Sequence, residues 1–172
     1  MQKDTLVLLG RYNKSVNEKA DAIIKTLSPA EWEKDLGGYF KSVRGLCSHL
    51  YLCDYNWLKR FANLRDFAVF KDAFFAPDPY PFSEVLFEDM GEYLAKRPVL
   101  NEKMLSFVNE LKDDDLGAIF KYTDSMGNAN EKIYGGLVMH CINHGTFHRG
   151  MLSLYLEMLG RENNFNSLTA AL

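Results

Sequence analysis

The strongest indication of the fold is one stretch near the end of the chain, NEKIYGGLVMHCINHGTFHRGMLSLYLEML (residues 130–159). Apolar side chains return in it every three or four residues, which is the period of an amphipathic α-helix. Gly160 follows directly and is typical of the residue that ends a helix. We therefore predict a long last helix whose inward face is formed by Leu137, His140, Cys141, His144, His148, Met151, Leu152 and Tyr155.

Three earlier segments show the same helical period and can pack against this helix. They cover residues 5–27, 42–64 and 83–111, and Ser42 and Ser83 are the expected N-caps of the second and third. Pro98 lies inside the third segment and should kink or split it. Four long helices with connections of moderate length predict an all-α four-helix bundle. The length of 172 residues fits a single domain over the whole chain, 1–172.

The connections between these helices contain short sequence patterns that predict smaller elements. Ser28-Pro29-Ala30-Glu31 has the residue order of a capping box and predicts a short accessory helix. Residues 117–131 predict a small hairpin or an irregular loop inserted before the last helix. Residues 67–82 are rich in aromatic rings and contain three prolines, so part of this connection cannot be regular helix. We expect its rings to pack on the bundle, with a lid over a cleft or a dimer contact as alternatives.

Composition and charge disfavour several classes of protein. Hydrophobic residues make up 47% and charged residues 25%, the profile of a folded domain rather than a disordered or fibrous chain. The net charge of −3 argues against a nucleic-acid partner, because neutralising phosphates needs a basic excess. The apolar run from Leu6 to Leu9 is too short for a signal peptide or a membrane span. Three cysteines without an export signal lead us to expect a cytoplasmic protein.

Three of the four histidines, His140, His144 and His148, occur at spacings of four residues on the predicted last helix. Each step of four residues turns about 40° and rises about 6 Å, so neighbouring members can point at one metal ion. The outer two lie about 12 Å apart along the helix axis and cannot share an ion with ordinary geometry. Spacing therefore allows either His140 with His144 or His144 with His148, and it does not choose between these pairs.

The fourth histidine, His49, lies on the apolar face of the predicted second helix, between Leu46 and Cys53. A buried imidazole needs a polar partner, and a metal ion held jointly with the last helix would supply one. Each histidine taken singly is more often an ordinary core residue, but their combination favours a metal site. Cys53 could add a ligand, although a buried core thiol is the commoner outcome. Neither Glu-x-x-His nor His-Glu-x-x-His occurs in the sequence, which argues against di-iron and zincin sites.

Together these residues resemble the DinB (YfiT-like) superfamily. The most specific part is the string NHGTFHRG (residues 143–150), and the earlier pair of His49 and Trp57 agrees with it. The resemblance implies a four-helix bundle in which His49, His144 and His148 bind a divalent metal ion, most often zinc or nickel. Of the two histidine pairs that spacing allows, the resemblance thereby selects His144 with His148.

Four further residues are expected beside the metal or in the pocket next to it, namely His140, Cys53, Trp57 and Arg149. Arg149 could pair with an acid or with an anionic substrate, and Asp54, Asp124 and Glu131 could orient a ligand or act as a base. Taken singly, each of the four charged residues is expected at the solvated surface, namely Arg149, Asp54, Asp124 and Glu131. Met151 stands where many relatives have glutamine, which affects the polarity of the pocket and not the ligand set.

The resemblance also implies an activity. Some members of the superfamily resemble transferases that use a low-molecular-weight thiol, so we expect a metal-dependent transferase that activates a thiol as thiolate. A metal-dependent hydrolase and a non-catalytic metal-binding stress-response protein are the alternatives. The expected partner is a small molecule rather than nucleic acid or a membrane, and a homodimer is a candidate assembly.

Overall fold

The computed structural model describes residues 2–169 of the chain. Its four long helices are α1 (Lys3–Ile24), α3 (Val43–Phe61), α4 (Met90–Glu110) and α6 (Tyr134–Met158). Helix α1 packs against α4 and α6, and α3 packs against the same two helices, so the four surround one core. None of the helices described here combines the length and the apolar character needed to cross a membrane. The predicted all-α four-helix bundle is confirmed.

Short elements connect the long helices. In chain order they are α2 (Pro29–Glu33), two 3-10 turns (Ala68–Lys71 and Ala73–Phe75), α5 (Asp113–Gly117), β1 (Ile119–Thr123) and β2 (Ala129–Ile133). The two strands form an antiparallel hairpin in which Ile119 pairs with Ile133 and Thr123 pairs with Ala129. Of the two structures predicted for the insertion before the last helix, the hairpin is therefore the one that forms.

Two serines begin helices as the sequence predicts. Ser28 Oγ accepts a hydrogen bond from the Glu31 backbone N–H at 3.3 Å, and Glu31 Oε2 accepts one from the Ser28 backbone N–H at 2.8 Å. These two bonds complete the capping box at the start of α2. Ser42 Oγ accepts from the Gly45 backbone N–H at 3.1 Å and begins α3. Because both contacts span only three residues, local sequence is enough to place these helix starts.

The start of α4 differs from the prediction, because Asp89 and not Ser83 is its N-cap. Asp89 Oδ1 accepts a hydrogen bond from the backbone N–H of Glu92 at 3.0 Å. The carbonyl oxygen of Phe87 accepts a bond from Arg44 Nε on α3 at 2.6 Å instead of an intrahelical one. This tertiary contact holds the preceding stretch outside the helix, so the prediction for Ser83 is wrong.

Helix α4 runs unbroken from Met90 to Glu110 although Pro98 lies inside it. Pro98 lacks the N–H that would bond to the carbonyl oxygen of Leu94, one turn earlier. Because Pro98 is exposed, that carbonyl oxygen can bond to solvent, and the neighbouring turns keep their helical form. The helix is therefore not split at the proline, which had been one of the two expected outcomes.

The last helix begins at Tyr134 rather than near Asn130, because residues 129–133 belong to β2. Asp124 builds the turn of the hairpin, where its Oδ1 accepts a hydrogen bond from the Asn128 backbone N–H at 2.9 Å. Gly127 in the same turn has a φ of +86°, a conformation that glycine adopts without strain. The strand pairing thus takes up residues whose spacing also fitted a helix.

The aromatic connection packs largely on the bundle, as expected. Phe67 and Phe75 are buried, and the Phe67 ring contacts the Phe107 ring of α4 with centroids 5.4 Å apart. Phe82, at the far end of the connection, is 38% exposed and lines a cleft beside α3. The connection therefore contributes both to the core and to the wall of a surface cleft.

Candidate metal centre

Three histidines meet between α3 and α6. His49 lies on α3, whereas His144 and His148 lie on successive turns of α6, one above the other. His49 Nε2 is 3.3 Å from His144 Nε2, and His148 Nε2 is 3.0 Å from the same atom. The rings of His49 and His148 also touch, with centroids 4.6 Å apart. The three side chains thus converge on one point from two helices.

These separations match the ligand spacing of a bound metal ion. Zinc binds imidazole nitrogens at about 2.0–2.1 Å, which sets two nitrogens of a tetrahedral site about 3.3 Å apart. Hydrogen bonds alone do not explain the arrangement. His144 Nε2 carries either one proton or one lone pair, so it can pair with only one of its two neighbours. A cation between the three lone pairs would satisfy all of them.

The electrostatic environment keeps the three histidines neutral at physiological pH. Burial lowers the pKa of His148 to about 3 and that of His49 to about 4, and neighbouring histidines add to both shifts. Burial also lowers the pKa of His144. Neutral imidazoles offer the lone pairs that a metal ion requires, so the donor set fits a divalent transition metal.

Cys53 belongs to the same cluster. It lies one turn after His49 on α3, and its Sγ is 3.5 Å from His49 Nε2 and 3.7 Å from His49 Nδ1. One ligand atom from each of His49, Cys53 and His144 lies within 4.8 Å of the other two, which makes these three residues a candidate metal site. Burial raises the pKa of the Cys53 thiol to about 12, and the charge of Asp54 adds to the rise.

The structure separates His140 from this cluster. Its side chain is exposed rather than on the predicted inward face, and its ring centroid is 6.1 Å from that of His144. It packs instead against Trp57, with centroids 5.6 Å apart. His148 is buried and contacts the other two histidines. The geometry therefore brings His148 and not His140 to the centre, while the ligand role of His148 stays a prediction.

Two clefts open beside α3 and α6. The first has a volume of about 620 Å3, and its wall includes His49, Phe40 and Arg44. The second, of about 600 Å3, lies beside the hairpin and is lined by Trp57, His140 and several apolar side chains. Because His49 reaches the wall of the first cleft, that cleft is the candidate path for a substrate to the metal centre.

A short loop before α3 places Phe40 over the histidines. The Phe40 ring is 4.5 Å from the His49 ring and 5.2 Å from the His148 ring, centroid to centroid. The loop turns tightly, since the Ser42 N–H donates to the Phe40 carbonyl oxygen at 2.7 Å and Lys41 has a φ of +65°. A positive φ is unfavourable for lysine, so packing must hold the loop in this shape.

Glycines allow the loop to lie close to the helices. A Cβ at Gly45 would stand 2.2 Å from the Phe40 carbonyl oxygen, so a larger residue would separate α3 from the loop. On the other side, the Tyr155 hydroxyl donates to the Gly37 carbonyl oxygen at 2.7 Å. Sequence reasoning missed Phe40, although the adjacent pair Gly37-Gly38 is a local signal that indicates an irregular loop.

Asp54 and Arg149 are buried, so the expectation of a solvated surface position is wrong for both. Asp54 Oδ2 accepts a hydrogen bond from Arg97 on α4 at 2.7 Å. Arg149 lines neither cleft and contacts α1, where it donates to Asn13 Oδ1 at 2.6 Å. Charged groups tolerate burial when they are paired in this way, and these partners lie far away in the sequence.

Comparison with known proteins agrees with this geometry. Protein DinB from Bacillus subtilis (strain 168) is 23% identical to the chain over 154 residues, which cover 88% of this chain and 84% of that protein. No solved structure matches the chain significantly. The model of the DinB family matches residues 1–169, which include the whole bundle and the histidine cluster. The chain therefore belongs to the DinB family.

Proposed function

We propose that the chain is a metal-dependent transferase that activates a low-molecular-weight thiol at a centre formed by His49, His144 and His148. One observation supports this most directly. Two other imidazole nitrogens approach His144 Nε2 to 3.3 and 3.0 Å, an arrangement that a shared metal ion satisfies and hydrogen bonds do not. The neutral state of all three rings agrees with the same role.

Zinc or nickel is the proposed ion. Imidazole nitrogen suits both ions, and three histidine donors leave a fourth coordination position that a substrate atom takes during the reaction. A bound ion of this kind stabilises the thiolate form of a thiol and so makes it nucleophilic at neutral pH.

The surrounding residues supply the other requirements of the reaction. The Phe40 ring packs against the rings of His49 and His148 and gives that side of the cluster an apolar wall. The cleft of about 620 Å3 beside His49 is large enough for a small-molecule substrate. These features support an enzyme whose substrate reaches the histidines from the cleft.

The proposed setting is a cytoplasmic homodimer that binds neither nucleic acid nor a membrane. The net charge of −3 supports the absence of a nucleic-acid partner. Phe147, Leu154 and Met158 share one side of α6 and are 65%, 56% and 52% exposed. An apolar stripe of this kind supports a contact between two copies of the chain.

A non-catalytic metal-binding protein is the second candidate, and Cys53 is the observation that favours it. A sulfur donor beside three histidines would complete a tetrahedral set, and closed sets of four protein ligands are typical of structural sites. Exchange of that sulfur for an external thiol would distinguish an enzyme from a storage or structural site.

Metal analysis of protein purified without a histidine tag tests the proposed site. We expect about one zinc or nickel ion per chain in the wild type. His144→Ala and His148→Ala should each lose it, because each removes a nitrogen donor from the cluster. His140→Ala is the matched control on the same helix and should keep its metal, since its ring packs on Trp57 outside the cluster.

The contrary results are equally specific. If His140→Ala lost its metal and His148→Ala kept full occupancy, the ion would be bound by His140 and His144 instead. Full occupancy in all three variants would rule out a site at these residues. If the wild type binds metal, transfer and hydrolysis assays with small thiols and thioesters follow, and hydrolysis without transfer would contradict the proposed activity.

A further inference from the structure

Cys53 differs from the other two cysteines in what its sulfur touches. Cys141 Sγ donates to Asp54 Oδ1 at 3.7 Å, deep between α3 and α6, and Cys47 is fully buried in the core. Cys53 Sγ instead lies against His49, at 3.5 Å from the nitrogen that faces the cluster. The chain thus brings one of its thiols to the metal centre and keeps the other two away from it.

Cys53 Sγ lies close enough to the histidine nitrogens to reach a shared ion after rotation of its side chain. With metal–nitrogen bonds of about 2.0–2.1 Å and a metal–sulfur bond of about 2.3 Å, tetrahedral geometry separates nitrogen and sulfur by about 3.6 Å. The observed separation of Cys53 Sγ and His49 Nε2 is 3.5 Å. The distance of 3.7 Å to His49 Nδ1 shows that the sulfur lies over the imidazole face. To join the ion, the thiol must turn from that face toward Nε2.

We propose that Cys53 is a fourth protein ligand, so that the loaded centre is held by three histidine nitrogens and one cysteine sulfur. This inference rests on the proposed metal site. Binding of Cys53 to the ion would release the thiol proton to solvent as the sulfur–metal bond forms. A substrate thiol would take the same position by exchange, giving its proton to the Cys53 sulfur and replacing that sulfur at the ion.

Two consequences follow from a sulfur in the ligand set. Thiolate is a soft donor, so the centre should favour zinc over harder divalent ions such as magnesium and manganese. The centre is also closed at rest, and it opens only when an external ligand displaces a side chain already present. In the absence of substrate, Cys53 would therefore fill the coordination position that a substrate thiol takes.

Cobalt(II) substitution tests the inference, because a thiolate bound to cobalt gives an intense near-ultraviolet charge-transfer absorption that imidazole ligands do not give. We expect this absorption in the wild type and its loss in Cys53→Ser, with cobalt still bound. Cys141→Ser is the matched control, since that sulfur contacts Asp54 and not a histidine, and its spectrum should equal that of the wild type. Adding a small thiol to Cys53→Ser should restore a thiolate absorption.

The possible results distinguish failure of the metal site from failure of the sulfur ligand. If the wild type binds no cobalt or zinc, the metal site itself fails, and the role of Cys53 fails with it. If cobalt binds without the thiolate absorption, or the absorption survives in Cys53→Ser, the site stands and the sulfur ligand is refuted.

A second measurement does not depend on the folding of any variant. X-ray absorption at the zinc edge of the wild type should show one sulfur at about 2.3 Å beside nitrogen neighbours. A shell of nitrogen and oxygen alone, with zinc fully bound, would refute the role of Cys53 in the same way.

Discussion

At the scale of single residues, Asp21 introduces a buried carboxylate into the core beside α4. Asp21 is 8% exposed, so its carboxylate lies almost entirely out of water. Burial raises the pKa of Asp21 to about 6, and the positive charge of Arg97 and the Tyr93 hydroxyl only partly oppose the rise. The folded chain therefore holds a proton at Asp21 to higher pH than the unfolded chain does.

Asp21→Asn should stabilise the protein at pH 7 by about 1–2 kcal/mol, because the amide removes a buried charge. The sign follows from the two pKa values of Asp21, about 6 in the folded chain and an ordinary value of 3.8 in the unfolded chain. Wild-type stability from this group is lost as the pH rises from about 4 to about 6. Urea denaturation of both proteins across this pH range measures the difference between their free energies of unfolding. The histidines contribute equally in the two proteins, so their effect cancels in the difference.

Glu18→Gln, one turn earlier on α1, is the control for removing a charge without burial. Its side chain is 48% exposed, so its effect on the free energy of unfolding should stay within about 0.5 kcal/mol at every pH. A stability difference for Asp21→Asn that does not change with pH would show that Asp21 binds protons equally in both states.

At the scale of elements, the contact between α3 and the loop before it depends on Gly45. Replacing Gly45 by alanine puts a Cβ 2.2 Å from the Phe40 carbonyl oxygen, so the loop must move away from the helix. We expect Gly45→Ala to lower the free energy of unfolding by about 1–3 kcal/mol, despite the better helix propensity of alanine. Chemical denaturation measures this change.

Replacing a glycine of α6 by alanine should instead raise the free energy of unfolding. A Cβ at Gly150 would have no atom within 4 Å, and Gly150 is exposed inside the helix. Gly150→Ala should therefore stabilise the protein by up to about 1 kcal/mol, through helix propensity alone. If Gly45→Ala and Gly150→Ala changed the free energy of unfolding equally, the close approach at Gly45 would not contribute to stability.

At the scale of the whole molecule, a metal ion at the cluster would join α3 to α6 and bind only the folded chain. Zinc at a hundred times its dissociation constant should then add about 2.7 kcal/mol to the free energy of unfolding. For a domain of this size that corresponds to a rise in Tm of about 5–10 °C, which calorimetry with and without a chelator measures. His144→Ala should show no such rise, and an equal rise in that variant would place the bound zinc elsewhere.

Much of the bundle was accessible from sequence because its signals are local. The caps at Ser28 and Ser42 bind backbone groups three residues away, and the spacing of His144 and His148 fixes them on one helix face. The helix start expected at Ser83 is wrong, since α4 begins at Met90 and the carbonyl oxygen of Phe87 is bound to Arg44, a residue on another helix. A signal that depends on a distant partner cannot be recognised in the segment itself.

The four helices and the candidate histidines could be predicted from local sequence, since helical period and capping are properties of neighbouring residues. Tertiary packing brings particular histidines together, places Cys53 beside them and sets Phe40 against their rings. It also decided the burial of Asp54, whose partner Arg97 comes from another helix. The physical reason is that these contacts join residues far apart in the chain, and packing alone brings such residues together.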